Sequence, residues 1–349
     1  MAHSELQKPG ARNLGAIRRK AVGTSQQTWV KTEPLFSEGG LPVLMQPAVE
    51  GIALIDWAKQ NRDMIETHLL KDGGILFRGF DMRTPADLEQ LSIALSQSLL
   101  EYTYYSTPRS KESGNIYTST EYPADRSIPL HNENAYTTTW PMKIWFFCRT
   151  PAQQGGETPL ADSRRVFERI DPKIRERFMQ KKVRYVRNYI EGVDLPWQTV
   201  FQTTDKAEVE RYCRSAGIEF EWKSSSHLCT SQLCQAVARH PRTGEMVWFN
   251  QAHLFHISSL SAEARKDLVS VYKEADFPRN ACYGDGSPIE DSVLDEIRGV
   301  YQQETIQFPW QKGDILMLDN MLVAHGRNPF TGPRKILVAM AEPFGEDVQ

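Results

Sequence analysis

The sequence predicts one mixed unit, mainly β with helical insertions (α+β), and three observations carry that expectation. Apolar, β-prone runs recur along the chain, from GGILFRGF at 73–80 through KIWFFC at 143–148 to GDILMLDNMLVAH at 313–325. Runs of helical spacing, several opened by capping residues, lie between them. The residues best suited to chemistry sit both early and late, so they can act together only if the whole chain closes into one body. A length of 349 residues would allow two domains, yet single β-barrel enzymes with helical insertions also reach this size.

Residues 1–40 are rich in Lys, Arg, Gly, Ser and Gln and lack periodicity, so they read as a mobile arm ahead of a single domain at 41–349. Arg18, Arg19 and Lys20 give that arm a basic group suited to touching a carrier protein. From 52 to 70 the spacing of Ile52, Ile55, Ala58, Ile65 and Leu69 predicts a helix, and GGILFRGF after it a buried strand. Thr84 before Pro85 is a cap with a first-turn proline, which starts a helix running to about Ser96. The polar, aromatic stretch 101–130 suits an active-site rim or an ordinary surface loop, with Arg109, Tyr117 and Thr118 as its candidates for substrate contact.

KIWFFC reads as a core strand, its aromatics serving packing. Residues 162–235 read as a helical insertion, with Asp171-Pro172 and Asp205 each capping a periodic run. HPRTGEMVWFNQAHLFHIS returns to β-like sequence around a turn at Thr243-Gly244. Ser287-Pro288-Ile289-Glu290 has the form of a capping box, launching a helix to about Gln303.

The chemistry centres on His131 and Glu133 in PLHNENAY and on His325, roughly 190 residues later. Two neutral imidazoles and one carboxylate hold one face of an octahedral Fe(II) and leave adjacent positions open. In an extended segment residues i and i+2 project to the same side, so His131 and Glu133 could grip a metal from one strand. Alone, a His-x-Glu is a weak signal. A second constellation strengthens it: Arg334, after a Gly-Pro turn, opens the run KILVAM. An arginine there meets a carboxylate with two parallel hydrogen bonds, which a lysine cannot reproduce.

His131 and Glu133, Gly155-Gly156-Glu157-Thr158, His325 and Arg334 together resemble the TauD/TfdA (taurine dioxygenase-like) family of Fe(II)/2-oxoglutarate-dependent dioxygenases, over roughly residues 70–345. The resemblance implies a double-stranded β-helix (jelly roll) core of about eight strands, with the metal inside its open end. It also implies Fe(II), with 2-oxoglutarate and O2 as cosubstrates, and it gives Thr158 and Arg334 the far carboxylate of 2-oxoglutarate. Sulfonate-using members carry a further arginine about four residues past the cosubstrate arginine. This chain has Ile336, Leu337, Val338 and Ala339 there, which argues against taurine.

The blocks HNENAYTTTWPMKIWFFC, PAQQGGETPLADSRRVF and DNMLVAHGRNPFTGPRKILVAMAEP are similar to the syringomycin-type branch. That likeness implies hydroxylation of an amino acid, free or tethered to a peptidyl carrier protein, in nonribosomal peptide or other secondary-metabolite biosynthesis. Desaturation or oxidative cyclisation by the same cofactors stays open. A non-catalytic barrel that binds an amino acid or carrier domain, or a zinc hydrolase, would leave Thr158 and Arg334 without a purpose.

Asn132, Asn134, Tyr136 and Asn250 join Arg109 and Tyr117 as substrate candidates, with Trp248 and Phe249 on the same side. His253 and His256 form a rival pair, but i, i+3 spacing on a strand or loop would point their rings apart, so they read as structural or as supports of the ligands. A net charge of -3 gives no reason to expect nucleic acid or an anionic membrane as partner. Five cysteines without a CxxC pair make a disulfide framework improbable, and no apolar run nears the roughly 18 residues of a membrane span. With no secretory signal in the opening residues, the expected location is cytoplasmic.

Overall fold

The computed structural model describes residues 29–37, 40–96, 98–101, 110–119, 122–190 and 192–345. Its backbone is an eight-stranded sheet in the order Val30–Pro34, Val43–Pro47, Gly74–Phe77, Ile315–Asp319, Thr139–Thr150, Lys335–Gly345, Ile116–Thr118, Lys111–Ser113. Neighbours are antiparallel except Val43–Pro47 beside Gly74–Phe77. The period-2 alternation of KIWFFC decides its two faces. Trp145 and Phe147 turn to one side, where Ile75, Met317 and Leu337 join Leu54, Trp57, Ile65, Leu69, Leu88 and Leu91 from flanking helices. Ile144, Phe146 and Cys148 turn to the other, with Leu316, Ile336, Val338 and Met340. That second face is covered by a three-stranded sheet in the order Ile128–His131, Val323–Arg327, Leu160–Asp162. The two sheets form a jelly roll with helices outside it, and each fully buried Phe or Leu between them contributes roughly 1.5–3 kcal/mol.

Several expectations change in detail. The stretch 29–37, read with the arm, supplies the edge strand Val30–Pro34; Arg18, Arg19 and Lys20 lie outside the described residues. The helix expected over 52–70 is two helices, Leu54–Gln60 and Arg62–Asp72, broken at Asn61, whose side chain donates to Trp57 O at 2.8 Å. Thr84 does cap the helix Pro85–Leu95, in a reciprocal box with Asp87. Asp171 and Asp205 cap Pro172–Lys181 and Lys206–Ser215.

The segment 162–235 is not purely helical. It carries Val183–Tyr189, Glu219–Trp222 and Leu228–Cys234, which with Arg279–Tyr283 make a four-stranded sheet. VRYVRNY and LCTSQLC alternate buried and less buried residues, the signature that the charged helices beside them obscure. Tyr189, Trp197, Val200, Val209, Cys213 and Leu228 give this insertion a small core of its own. Ser287 forms no capping box: its hydroxyl and N–H both bond Asp285, closing a turn, and the helix begins only at Asp291.

Candidate active site

His131 ends its strand directly opposite His325, with ring centroids 4.7 Å apart. The strands meet closely because residue 326 is glycine; a Cβ there would stand 2.5 Å from Ile128 O. Glu133 does not share an extended segment with His131, as the sequence suggested. The strand stops at His131 and Glu133 lies in the following turn.

That turn is held from outside. Asn320, fully buried in the link between Ile315–Asp319 and Val323–Arg327, accepts from Glu133 N at 2.7 Å and donates to Glu133 O and Pro141 O, each at 2.9 Å. Its own carbonyl accepts from Asn132 Nδ2 at 2.7 Å, and Gln251 donates to Asn132 O at 2.7 Å. The link is braced in turn by Asp319, whose carboxylate accepts from Met321 N and Leu322 N and faces buried His240 Nε2 at 3.0 Å. The link that leads into the His325 strand thus fixes the backbone of Glu133, just after the His131 strand. Replacing Asn320 with Ala is expected to weaken metal affinity roughly 10–100-fold, the usual cost of losing a group that orients a ligand. A chelator-competition titration of Fe(II) measures it.

One atom from each of His131, Glu133 and His325 can lie within 4.8 Å of the others, the only such metal-capable group of three among the described residues. The donor set fits a divalent metal. His131 Nδ1–H donates to Pro129 O at 2.8 Å, which leaves Nε2 as the lone-pair nitrogen. His325 is buried with no hydrogen-bond partner for Nδ1, and its Nε2 stands 3.7 Å from a Glu133 oxygen, too far for a hydrogen bond and right for a shared ion.

His253 and His256 lie outside this group, in and just after a short helix, Ala252–Phe255, rather than in β-like sequence. His253 Nε2–H donates to Leu130 O at 3.0 Å, steadying the strand that carries His131. Burial pushes its pKa down to about 3, so it stays neutral at working pH.

The residues expected to take the cosubstrate lie in the same cleft as His131 and His325. His131, His325, Thr158 and Arg334 line it together with Phe146, Ile336 and Val338. Gly155 and Gly156 both adopt positive φ, and a Cβ on Gly156 would crowd Arg334 Cδ at 3.0 Å. Arg334 Nε donates to Gly156 O at 2.9 Å while its guanidinium lies 5.5 Å from the Phe330 centroid. Among the described residues no carboxylate is within ion-pair distance of it. Burial, with Arg327 nearby, pushes its pKa down to about 10. A mostly buried cation without a counter-ion is a site for an anion. Thr158 Oγ1, which accepts from Trp310 Nε1 at 3.2 Å, faces the same space.

The remaining candidates scatter. Arg109 lies outside the described residues. Tyr117 is buried in a strand opposite Val338, with Thr118 opposite Leu337. Asn132 and Asn250 do not line the cleft: Asn132 bonds Ser163 and Asn320, and Asn250 bonds Ala236 O and Ala252 N, so both secure backbone. Trp248 and Phe249 are core, packed on Phe178 and Trp140. Tyr136 packs on Tyr185 and Phe255, and Asn134 opens onto a second cleft. Sequence reasoning missed Asn320, Trp310 and Arg327. For Asn320 the available signal was a polar pair, Asp319-Asn320, inside an otherwise apolar run.

Residues 40–340 match the family model described as taurine catabolism dioxygenase TauD, TfdA family. The chain belongs to this family and is an Fe(II)- and 2-oxoglutarate-dependent dioxygenase. It is 46% identical over 279 residues to the dapdiamide synthesis protein DdaC of Enterobacter agglomerans, covering 80% of this chain and 85% of that one. A clavaminate synthase-like protein of Arabidopsis thaliana is 28% identical over 299 residues, covering 81% and 86%. The fold is similar to that of the PvcB protein from Pseudomonas aeruginosa, with a TM-score of 0.53 at 15% identity, covering 89% of this chain and 90% of that one. No helix among the described residues is long and apolar enough to cross a membrane.

Proposed function

We propose that this dioxygenase oxidises an unactivated carbon of an amino acid, free or tethered to a peptidyl carrier protein, as a step of secondary-metabolite biosynthesis in the cytoplasm, with hydroxylation as the outcome. The observation that carries the reading is the 46% identity, over most of both chains, with a protein of dapdiamide synthesis.

His131, Glu133 and His325 would hold the iron, which with 2-oxoglutarate and O2 supplies the oxidising power for C–H cleavage. The protein's own part is placement. Arg334 pairs with the far carboxylate of 2-oxoglutarate, and the Thr158 hydroxyl donates a hydrogen bond to it. Phe146, Ile336 and Val338 keep water from the reacting face. Burial of Arg334 strengthens that pairing, because the anion restores charge balance in a place of low dielectric.

The test is succinate formation by Fe(II)-loaded protein given O2 and 2-oxoglutarate, across amino acids offered free and carrier-bound, with mass spectrometry of each product. Substrate-stimulated succinate with a gain of one oxygen atom is expected. Loss of two hydrogens would replace hydroxylation by desaturation or cyclisation, and absence of stimulation by every amino acid would overturn the substrate class.

A further inference from the structure

Glu133 is the one member of the metal-capable group that lies outside a strand. His131 and His325 are aligned by the ladder they share, whereas residues 132–136 turn away from it. Hydrogen bonds from elsewhere take the ladder's place. Every main-chain carbonyl of that turn is engaged: Asn132 O by Gln251 Nε2 at 2.7 Å, Glu133 O by Asn320 Nδ2 at 2.9 Å, Asn134 O by the Thr137 hydroxyl at 2.9 Å, Ala135 O by Gln235 Nε2 at 3.0 Å and Tyr136 O by the Cys234 thiol at 3.3 Å. Glu133 N donates to Asn320 as well. Asn134, directly after Glu133, is held at a φ of 58°, in the left-handed region that asparagine tolerates better than most residues.

Two of these donors belong to the insertion. Cys234 ends the strand Leu228–Cys234 and Gln235 follows it. Gln251 is tied to the same insertion, since its N–H donates at 2.7 Å to the hydroxyl of Tyr185 in Val183–Tyr189. Tyr185 also packs edge-on against Tyr136, with ring centroids 6.5 Å apart. The four-stranded sheet therefore grips the Glu133 turn from one side, and the link bearing Asn320 grips it from the other. A backbone pinned at both its N–H and its C=O cannot advance toward an ion, so the carboxylate reaches only as far as its own side chain allows. That reach puts a Glu133 oxygen 3.7 Å from His325 Nε2. Aspartate at 133 would draw the carboxylate back by about 1.5 Å, one C–C bond, which exceeds the roughly 0.5 Å within which a ligand constellation has to be held.

Building on the reading of His131, Glu133 and His325 as metal ligands, we infer that the insertion is part of the metal site. Gln235 is a positioning residue that, with Gln251 and Asn320, locks the turn and so makes the site selective for glutamate over aspartate at 133.

The Mn(II) affinity of the full-length protein, read by EPR as loss of the free-ion signal, tests this without turnover in a double-mutant cycle. Gln235→Met keeps the length of the side chain but cannot donate to Ala135 O. It is expected to weaken Mn(II) binding roughly tenfold, the lower end of the loss that follows removal of a group orienting a ligand. Glu133→Asp should weaken binding too, but its penalty is expected to be about threefold or more smaller in the Gln235→Met background, because a freed turn can move toward the ion. A glutamine that served only the fold would cost both forms alike. Gln235→Ala, at a half-buried position, serves if the first variant fails to fold, and thermal unfolding of the metal-free proteins records the folded fraction separately. Unchanged affinity in the Gln235 variants, or an aspartate penalty that is the same with and without Gln235, would overturn the inference. Failure of the unsubstituted protein to bind Mn(II) would instead overturn the reading of the metal site on which it rests.

Discussion

Replacing His325 with Ala is expected to abolish 2-oxoglutarate-dependent turnover and to lower Fe(II) affinity by more than the roughly 10–100-fold that follows loss of an orienting group around a metal ligand. His325 is the proposed ligand with the fewest alternatives. It sits mid-strand between His131 and Leu160, against the Phe146 ring at 4.9 Å, and among the described residues no other His, Cys, Asp or Glu joins the group. Removing the imidazole leaves a hole that water can enter, and water lacks the fixed direction of a strand-borne nitrogen. The checks are an anaerobic Fe(II) titration and a succinate assay, run beside thermal unfolding to show that the sheet survives. Turnover retained by a folded His325→Ala protein would dismantle the triad.

The second large effect is at the opposite end of that cleft. Arg334→Ala should raise the KM for 2-oxoglutarate on the order of 10–100-fold, the cost of losing charge-assisted hydrogen bonds worth about 1.5–3 kcal/mol, with kcat changed far less. Arg334→Lys should recover only part of this. An ammonium restores the charge but not the planar fork, and it loses the bond from Nε to Gly156 O that aims the side chain. The split between KM and kcat is the informative readout, because an arginine that merely supported the fold would lower both through a smaller folded fraction. An unchanged KM would place the cosubstrate elsewhere.

Both predictions rest on residues visible in the sequence, and the reason is physical. His131, Glu133, Thr158, His325 and Arg334 are polar residues in or beside apolar strand-forming runs, where a charge or imidazole has to answer to something. Thr84, Asp171 and Asp205 were legible for a local reason, since a cap and its helix are neighbours in the chain.

Where the sequence misled, a distant partner decided the outcome. Ser287 has the letters of a cap, but Asp285 and Lys181 engage its side chain first. Asn132 and Asn250 have the polarity of substrate contacts, yet they serve backbone groups on segments far along the chain. Asn320 is the converse: the polar pair in an apolar run marks it as unusual, but its meaning lies in the peptide it holds at residue 133. The strands of the insertion were hidden because the neighbouring helices present charged faces with clear caps, a stronger local pattern than seven alternating residues.

The order of strands in the large sheet sets a schedule for biogenesis. Lys335–Gly345 inserts between Thr139–Thr150 and Ile116–Thr118, both synthesised long before it. Until the ribosome has released it, the middle of the sheet exposes two apolar edges, and Arg334 and His325 have no fixed place. A nascent chain is expected to hold iron productively only once Val323–Arg327 and Lys335–Gly345 have both joined their sheets. Nearly the whole chain must meanwhile be shielded from pairing with a stranger's edge strand. The same wide span that brings five scattered residues to one proposed centre is expected to make production of this enzyme sensitive to truncation and to chaperone supply.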